Sequence, residues 1–231
     1  MGDYRREHLF TLGQSLEAFR HYQELIVACD REIAQYLEGF ESKVDPPSGP
    51  RSQSEGEPKA KNSEPRFDLQ THLHRIFGVD LTKIPGINVL TTQTLLAEIG
   101  PDFSRFPSGP ELTSWLGLCP DNRVSGGRVL SVKTRKVKNR AATALRMAAQ
   151  SLYRSQSYLG HYFRRMRAKL GAPKAITAAA HKLARIVYHM VTTRQAYDET
   201  ICAHNEVQNR QRLEARLRKQ ARELGLQVVA I

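Results

Sequence analysis

Apolar residues recur at alternating steps of three and four along the N-terminal part of the chain. This spacing predicts a single helix over residues 1–41 with a narrow, heptad-like apolar seam. Polar Gln23 and Asp30 occupy two positions of that seam. Two interpretations fit the pattern equally well, a coiled coil with a second copy of the helix or an amphipathic helix lying on its own domain. The apolar members of the seam are Leu9, Leu12, Leu16, Phe19, Ile26, Ile33, Leu37 and Phe40.

Residues 42–66 have a different composition, rich in proline and glycine and poor in apolar side chains. Such a segment buries too little apolar surface to offset the entropy lost on ordering. We therefore predict a disordered linker here, followed by a larger domain over 67–231.

The larger domain is predicted to be mainly helical. Helical periodicity indicates short helices on both sides of a Pro85-Gly86 turn, which together form a helix-hairpin-helix-like element near 81–100. A further short helix ends at Gly117, and a small irregular or β loop region follows. Apolar residues seven apart, Leu145, Leu152, Leu159 and Met166, predict one long helix ending at Gly171, and Pro173 opens the next helix.

The Pro-Gly turn is the first candidate site. Exposed amides at a helix N-terminus bind a phosphate without reading its base, and we expect Gly86, Ile87 and Asn88 to do so. Asn88 stands where the usual motif has a second glycine that takes a positive φ. An ordinary corner between two helices is the alternative interpretation.

The second candidate is Ser125, which lies between Arg123 and Arg128 on a loop that also contains Gly126 and Gly127. The glycines allow a phosphate backbone to approach closely, and the two arginines suit the oxygens of a phosphate under nucleophilic attack. Ser-Gly-Gly is also a common turn. A hydroxyl nucleophile needs a base or a metal, and the sequence around Ser125 contains no carboxylate or histidine that would supply one.

The positive charge is concentrated in one stretch. The whole chain has a net charge of +12, yet residues 122–197 contain 17 Lys and Arg and no Asp or Glu. A solvated basic face normally includes acids that pair at helical spacing, so this stretch favours a nucleic-acid partner. Lysines and arginines are most closely spaced next to residues 132–135, where the alternation of side chains predicts a short strand. Asn139 is a candidate N-cap for the helix that follows. The expected phosphate contacts are Lys133, Arg135, Lys136, Lys138, Arg140, Arg146, Lys182 and Arg185.

Other classes of protein are disfavoured by composition. No apolar run approaches the ~20 residues that a membrane helix needs, and a polar stretch follows Met1 directly, so we expect a cytoplasmic chain without a signal peptide. The three cysteines form no C-x-x-C pair, and His72 and His74 lie on different faces of a predicted helix. We expect neither a disulfide framework nor a metal site.

Taken in chain order, several of these segments resemble the C-terminal domain of DEDD-type, bridge-RNA-guided transposases, which form the insertion-sequence family numbered one-ten. The residues from Glu7 to Ile33 are similar to the coiled-coil region before that domain. The resemblance rests on Ile84-Pro85-Gly86-Ile87, Trp115 to Pro120, Ser125-Gly126-Gly127, Asn139 to Arg146 and Ala178 to Arg185.

The resemblance implies DNA transposition, with a serine nucleophile that maps onto Ser125, a structured guide RNA, and an oligomer that combines domains of different subunits. It also implies a RuvC-like domain whose four carboxylates hold magnesium. That domain would precede the coiled coil, so we expect this chain to lack it and to be inactive alone unless the domain is supplied in trans. The alternative is a truncated, non-catalytic module that binds nucleic acid.

Overall fold

The computed structural model describes residues 4–44, 65–131 and 133–200, together with 214, 215, 217, 218, 220–223 and 225. Helices dominate these residues, which confirms the mainly helical fold class. The α-helices are α1 (Arg6–Glu38), α2 (Leu69–Phe77), α3 (Val89–Ile99), α4 (Gly109–Trp115), α5 (Arg140–Ser151), α6 (Tyr158–Leu170) and α7 (Ala172–Thr193). Two short strands, β1 (Arg123–Ser125) and β2 (Arg128–Ser131), and two 3-10 helices, Leu81–Lys83 and Leu152–Arg154, complete the set.

The chain divides into two compact units, Met1–Asp80 and Leu81–Ile231. The predicted linker falls largely on residues 45–64, which lie outside the described part of the chain. In the first unit, the guanidinium of Arg75 on α2 donates hydrogen bonds to the carbonyl oxygens of Leu37 and Phe40, each at 2.7 Å. Charge-assisted bonds of this kind fasten the end of α1 to α2.

Helix α1 confirms the helix predicted from the heptad-like spacing. Its seam residues Leu9, Leu12 and Phe19 are between 53% and 64% exposed, whereas Leu37 near its end is buried. Among the described residues, most of the seam is therefore exposed.

The second unit is built around α7, which packs against α4, α5 and α6, while α3 packs against α5. One apolar stripe of α7 is buried and contains Ala179, Ala180, Leu183, Val187 and Met190. Alanines on this stripe allow neighbouring helix backbones to approach closely, so three helices share one small core.

The long helix predicted from Leu145 to Gly171 is wrong. Helix α5 ends at Ser151, a 3-10 turn follows, and α6 begins at Tyr158 with the hydroxyl of Ser157 accepting a hydrogen bond from the Gly160 amide at 3.2 Å. Gly160 lies so close to the Ser155 carbonyl that a side chain would not fit there. Because Leu152 and Leu159 on either side of the break are both buried, the apolar spacing continues through it.

None of the described helices combines the length and the apolar character that crossing a bilayer requires.

Candidate nucleic-acid interface

Ser125 lies at the tip of a two-stranded hairpin, which we call the serine hairpin (residues 123–131). Strands β1 and β2 pair antiparallel, and Ser125 stands opposite Arg128. Between them Gly126 and Gly127 have φ values of 55° and 74°. This is the geometry of a two-residue type I′ turn, which requires a positive φ at both positions and so favours glycine.

The tip of the hairpin is open on all sides. Ser125, Gly126, Gly127 and Arg128 are exposed, and a methyl group added at either glycine would meet no atom within 4 Å. Among the described residues no group accepts or donates a hydrogen bond to the Ser125 hydroxyl, and none pairs with Arg128. The side chain of Arg123 lies outside the described part of the chain. No described residue therefore blocks the approach to the serine hydroxyl.

The base of the hairpin is anchored to the helices. The Asp121 amide donates a hydrogen bond to the Lys133 carbonyl at 2.9 Å, and Pro120 forms an isolated bridge with Thr134. The strand predicted over 132–135 is wrong for its described residues, because β2 ends at Ser131 and pairing beyond it is limited to that bridge. The polypeptide then runs as irregular chain to α5, whose N-cap Asn139 accepts a hydrogen bond from the Ala142 amide, as predicted.

Several of the arginines predicted to bind phosphate already contact the protein. Arg135 donates to the carbonyl and the hydroxyl of Ser114, at 2.9 and 2.6 Å. Arg140 forms an ion pair with Glu98 at 3.5 Å, and Arg146 donates to the Gly117 carbonyl at 3.4 Å. Arg135 thus holds the segment between the serine hairpin and α5 against α4, whereas Arg140 and Arg146 lie on α5 and join it to α3 and to the turn after α4.

Three lysines in the same segment have a different environment. Lys133, Lys136 and Lys138 are exposed, and no acid among the described residues pairs with them. We call these three residues the lysine group. Their ammonium groups carry positive charge that no described acid neutralises.

The Pro-Gly turn differs from its prediction in detail. The residue with a positive φ, +89°, is Gly86. Asn88 has an extended backbone and caps α3, because its side-chain oxygen accepts a hydrogen bond from the Thr91 amide at 2.8 Å. Asn88 therefore does not take the positive φ of the usual second glycine. The element before the turn is the 3-10 helix Leu81–Lys83, not a full helix.

The structure gives Gly86 a packing role. A Cβ at Gly86 would lie 2.7 Å from the Ala148 carbonyl oxygen of α5. The Ile87 amide donates to the Ile84 carbonyl at 3.0 Å, so it is already used within the turn. A cavity beside the turn has no basic residue in its lining. Phosphate binding by Gly86, Ile87 and Asn88 stays a prediction.

Lys182 and Arg185 line a second feature, which we call the α6–α7 pocket. Its lining comes from α4, α6, α7 and the residues that follow α7, and it comprises Gly109, Pro110, Tyr162, His181, Lys182, Arg185, Ile186, Tyr188, His189, Met190, Gln195, Ala196, Tyr197 and Asp198. The Lys182 ammonium lies 4.2 Å from the ring centre of Tyr158 and 4.4 Å from that of Tyr162. It also donates a hydrogen bond to the Tyr158 hydroxyl at 2.6 Å.

Two titratable groups in the pocket are shifted. Burial, together with the neighbouring Arg185 charge, lowers the pKa of His181, so its imidazole is neutral at pH 7. Burial raises the pKa of Tyr162, although the nearby Arg165 acts in the opposite direction. The two cations of this pocket were predicted from the sequence, but its tyrosines were not. For Tyr162 the available signal was Tyr158, four residues before it on α6.

Within the described ranges, no group of three or more His, Cys, Asp and Glu side chains is arranged to hold a metal ion.

Comparison with known proteins gives a consistent match. Residues 80–164 match the family model described as "Transposase IS116/IS110/IS902 family". The chain is 32% identical over 127 residues to "Putative transposase y4pF/y4sB" of Sinorhizobium fredii, a match that covers 51% of this chain and 32% of that protein. It is 36% identical over 124 residues to "Mini-circle putative transposase for IS117" of Streptomyces coelicolor, covering 52% of this chain and 29% of that protein.

The matches thus span about a third of the length of these two relatives. The family match contains the Pro-Gly turn, the serine hairpin, the lysine group and α5, and it ends within α6, before α7. Residues 80–164, the part of the chain that carries Ser125, are therefore similar to the IS116/IS110/IS902 transposase family.

Proposed function

We propose that this chain is the nucleic-acid-binding, serine-bearing part of an insertion-sequence transposase and acts in DNA transposition. The observation that supports this most directly is the position of Ser125. It is exposed at the tip of a glycine turn, in the basic stretch of the chain, and inside the segment that matches the transposase family.

In the proposed reaction the Ser125 hydroxyl oxygen attacks the phosphorus of a DNA phosphodiester. The bond between phosphorus and the sugar oxygen on one side of the phosphate breaks, and that oxygen takes a proton. A phosphodiester then joins Ser125 to the strand end on the other side of the break. A free strand hydroxyl reverses this step on a new partner strand, so cleavage and joining need no external energy source. Arg128 lies opposite Ser125 and is suited to the non-bridging oxygens, where negative charge builds up.

The hydroxyl proton must pass to a base outside the described residues, because none of them contacts Ser125 Oγ. The family resemblance implies that a RuvC-like domain, acting in cis or in trans, supplies carboxylates and magnesium for this purpose. Within this chain, the hairpin positions the nucleophile and the lysine group binds the flanking phosphates. DNA and a structured guide RNA are the proposed ligands.

We further propose that the chain forms a homo-oligomer through the α1 seam, because the composite sites implied by the resemblance need several subunits. Leu16→Glu, on the seam, should lower the mass of the assembly in sedimentation experiments. Leu25→Glu, at an equally exposed leucine off the seam, is the matched control and should leave the mass unchanged. Equal masses for both variants and the parent chain would contradict self-association through this surface.

A non-catalytic nucleic-acid-binding module is the second candidate function. It is favoured by the lack of any activating partner for the Ser125 hydroxyl among the described residues. Both candidates need the same positive charge, so binding alone does not separate them.

Covalent chemistry separates the two candidates. The chain is combined with a matching RuvC-like domain, magnesium, guide RNA and a target and donor DNA pair, and denaturant-resistant protein–DNA adducts are measured. We expect an adduct that maps to Ser125 by mass spectrometry. Ser125→Ala should abolish it while DNA binding persists, and Ser131→Ala, at the other end of the hairpin, should retain it.

An adduct that persists in Ser125→Ala, or that maps to Ser131, overturns the assignment of the nucleophile. If no adduct forms although the partner domain binds metal and DNA is bound, the non-catalytic module is the better description.

A further inference from the structure

The α6–α7 pocket is a cavity of about 830 Å³. Pockets for small molecules and cofactors typically enclose ~300–1,000 Å³, so a single nucleotide fits this space. The α7 residues that line the pocket lie beyond the segment that matches the transposase family, and the reaction proposed for Ser125 does not use them.

Two tyrosine rings in the pocket are held in fixed positions. The Tyr188 hydroxyl donates a hydrogen bond to the Phe106 carbonyl at 2.8 Å, which fixes that ring between α7 and the chain before α4. The Tyr162 ring lies against the Lys182 ammonium at 4.4 Å and the Arg165 guanidinium at 5.8 Å. Fixed aromatic rings next to cations are the surfaces on which unpaired bases stack.

The polar lining is suited to the other parts of a nucleotide. Because His181 is neutral at pH 7, its imidazole offers one donor and one acceptor, which matches the mixed pattern on the edge of a base. Arg185 is exposed and supplies a cation for a phosphate. The acid that faces the pocket, Asp198, accepts hydrogen bonds from the Thr200 amide and hydroxyl at 2.8 and 2.7 Å. Those two bonds offset part of its negative charge.

We propose that the α6–α7 pocket binds one unpaired nucleotide of a DNA or RNA strand. The base stacks on Tyr162 and Tyr188, its edge contacts His181, and its phosphate contacts Arg185. Bases inside a duplex are stacked on both faces and do not enter such a pocket, so the pocket selects bulged, looped or frayed positions. This inference rests on the proposed function, because it assumes that nucleic acid is the ligand of the chain.

The test is equilibrium binding of the full chain to short duplexes. One DNA duplex carries a single bulged thymidine and its control is fully paired; an RNA pair carries a bulged uridine or none. The parent chain should bind a bulged probe about tenfold more tightly than its paired control, as expected for one stacked base.

Two pocket variants, Arg185→Gln and Tyr162→Leu, should each remove most of that preference. Arg185 is exposed, so its variant keeps the test valid if Tyr162→Leu fails to fold. Lys174→Gln is the matched control, since it removes the same charge from an exposed position on α7 outside the pocket. It should weaken binding of bulged and paired probes equally and leave their ratio unchanged.

The site of contact is tested by photo-crosslinking with 5-iodouracil at the unpaired position. We expect crosslinks to peptides that contain Tyr162 or Tyr188. A preference in the DNA arm only, or in the RNA arm only, identifies the strand that supplies the nucleotide. Equal binding of bulged and paired probes in both arms, or crosslinks confined to other peptides, overturns the pocket assignment alone. No binding to any probe overturns the proposed function as well.

Discussion

Leu145, Leu152 and Leu183 in the helices of the second unit are completely enclosed, whereas Val124 and Leu130 in the serine hairpin are 58% and 69% exposed. The helices bury the apolar residues that stabilise the unit. The hairpin has two strands, a glycine turn and one serine at its tip, and its residues Val124 and Leu130 contribute little to a core. The site of the proposed chemistry is thus separate from the residues that hold the fold together.

This difference means that changes in one region should leave the other unaffected. Stability should depend on α5, α6 and α7, and chemistry on Ser125. The segment between the hairpin and α5 belongs to both regions, because Arg135 fastens it to α4 while the lysine group is exposed.

The largest expected effect is on the core. Leu183→Ala removes a fully buried side chain from the packing of α7 against its neighbours and should lower the free energy of unfolding by about 2–5 kcal/mol. Ser125→Ala, at an exposed hairpin position, should change it by less than about 0.5 kcal/mol. Urea denaturation followed by circular dichroism measures both. A large decrease in Ser125→Ala would contradict the separation of fold and chemistry.

Alanine substitutions at two glycines should lower the stability by a smaller amount, and they compare a packed turn with an open one. Gly86 and Gly100 have nearly the same φ, 89° and 91°, but a Cβ would clash with Ala148 at Gly86 and meet nothing within 4 Å at Gly100. Gly100→Ala should cost about 1–3 kcal/mol for the backbone alone, because a φ of 91° with a ψ of 177° is a region that essentially only glycine adopts. Gly86→Ala should cost a further ~1–3 kcal/mol for overpacking. Equal decreases in stability on thermal unfolding would show that the turn does not pack tightly on α5.

The smallest expected effect is a pH dependence of stability. Burial and Arg185 lower the pKa of His181 in the folded chain, while the unfolded chain keeps the ordinary value of about 6.5. The unfolded state therefore takes up a proton first as the pH falls below about 6.5, and the folded state is destabilised in that range. Between neutral and mildly acidic pH, the melting temperature of His181→Gln should fall less than that of the parent chain. Identical decreases would place His181 in a more open environment.

The helices could be predicted where the sequence contains their end signals. Gly100 and Gly117 end two of them, and Asn139 begins a third with the side-chain cap expected of it. The break between α5 and α6 was missed because Leu152 and Leu159 face the same core and keep the helical spacing. The polar capping residues Ser155 and Ser157 were the contrary signal.

The candidate site was only partly predictable for a similar reason. Charge is a property of composition, so the basic stretch could be found from sequence, as could the glycine turn after Ser125. Which cations already have partners depends on residues far away in sequence, such as Glu98 for Arg140. The α6–α7 pocket requires α4, α6 and α7 to come together, and no local pattern contains that information.

The central claim is that the exposed segment around the serine hairpin binds nucleic acid while the helices support it. The most direct measurement is the salt dependence of duplex DNA binding in an anisotropy titration. Replacing Lys133, Lys136 and Lys138 together by glutamine should make the log–log slope shallower by about 0.9 for each phosphate that the variant no longer neutralises, with melting temperature unchanged. An unchanged slope would remove this segment from the interface and contradict the account.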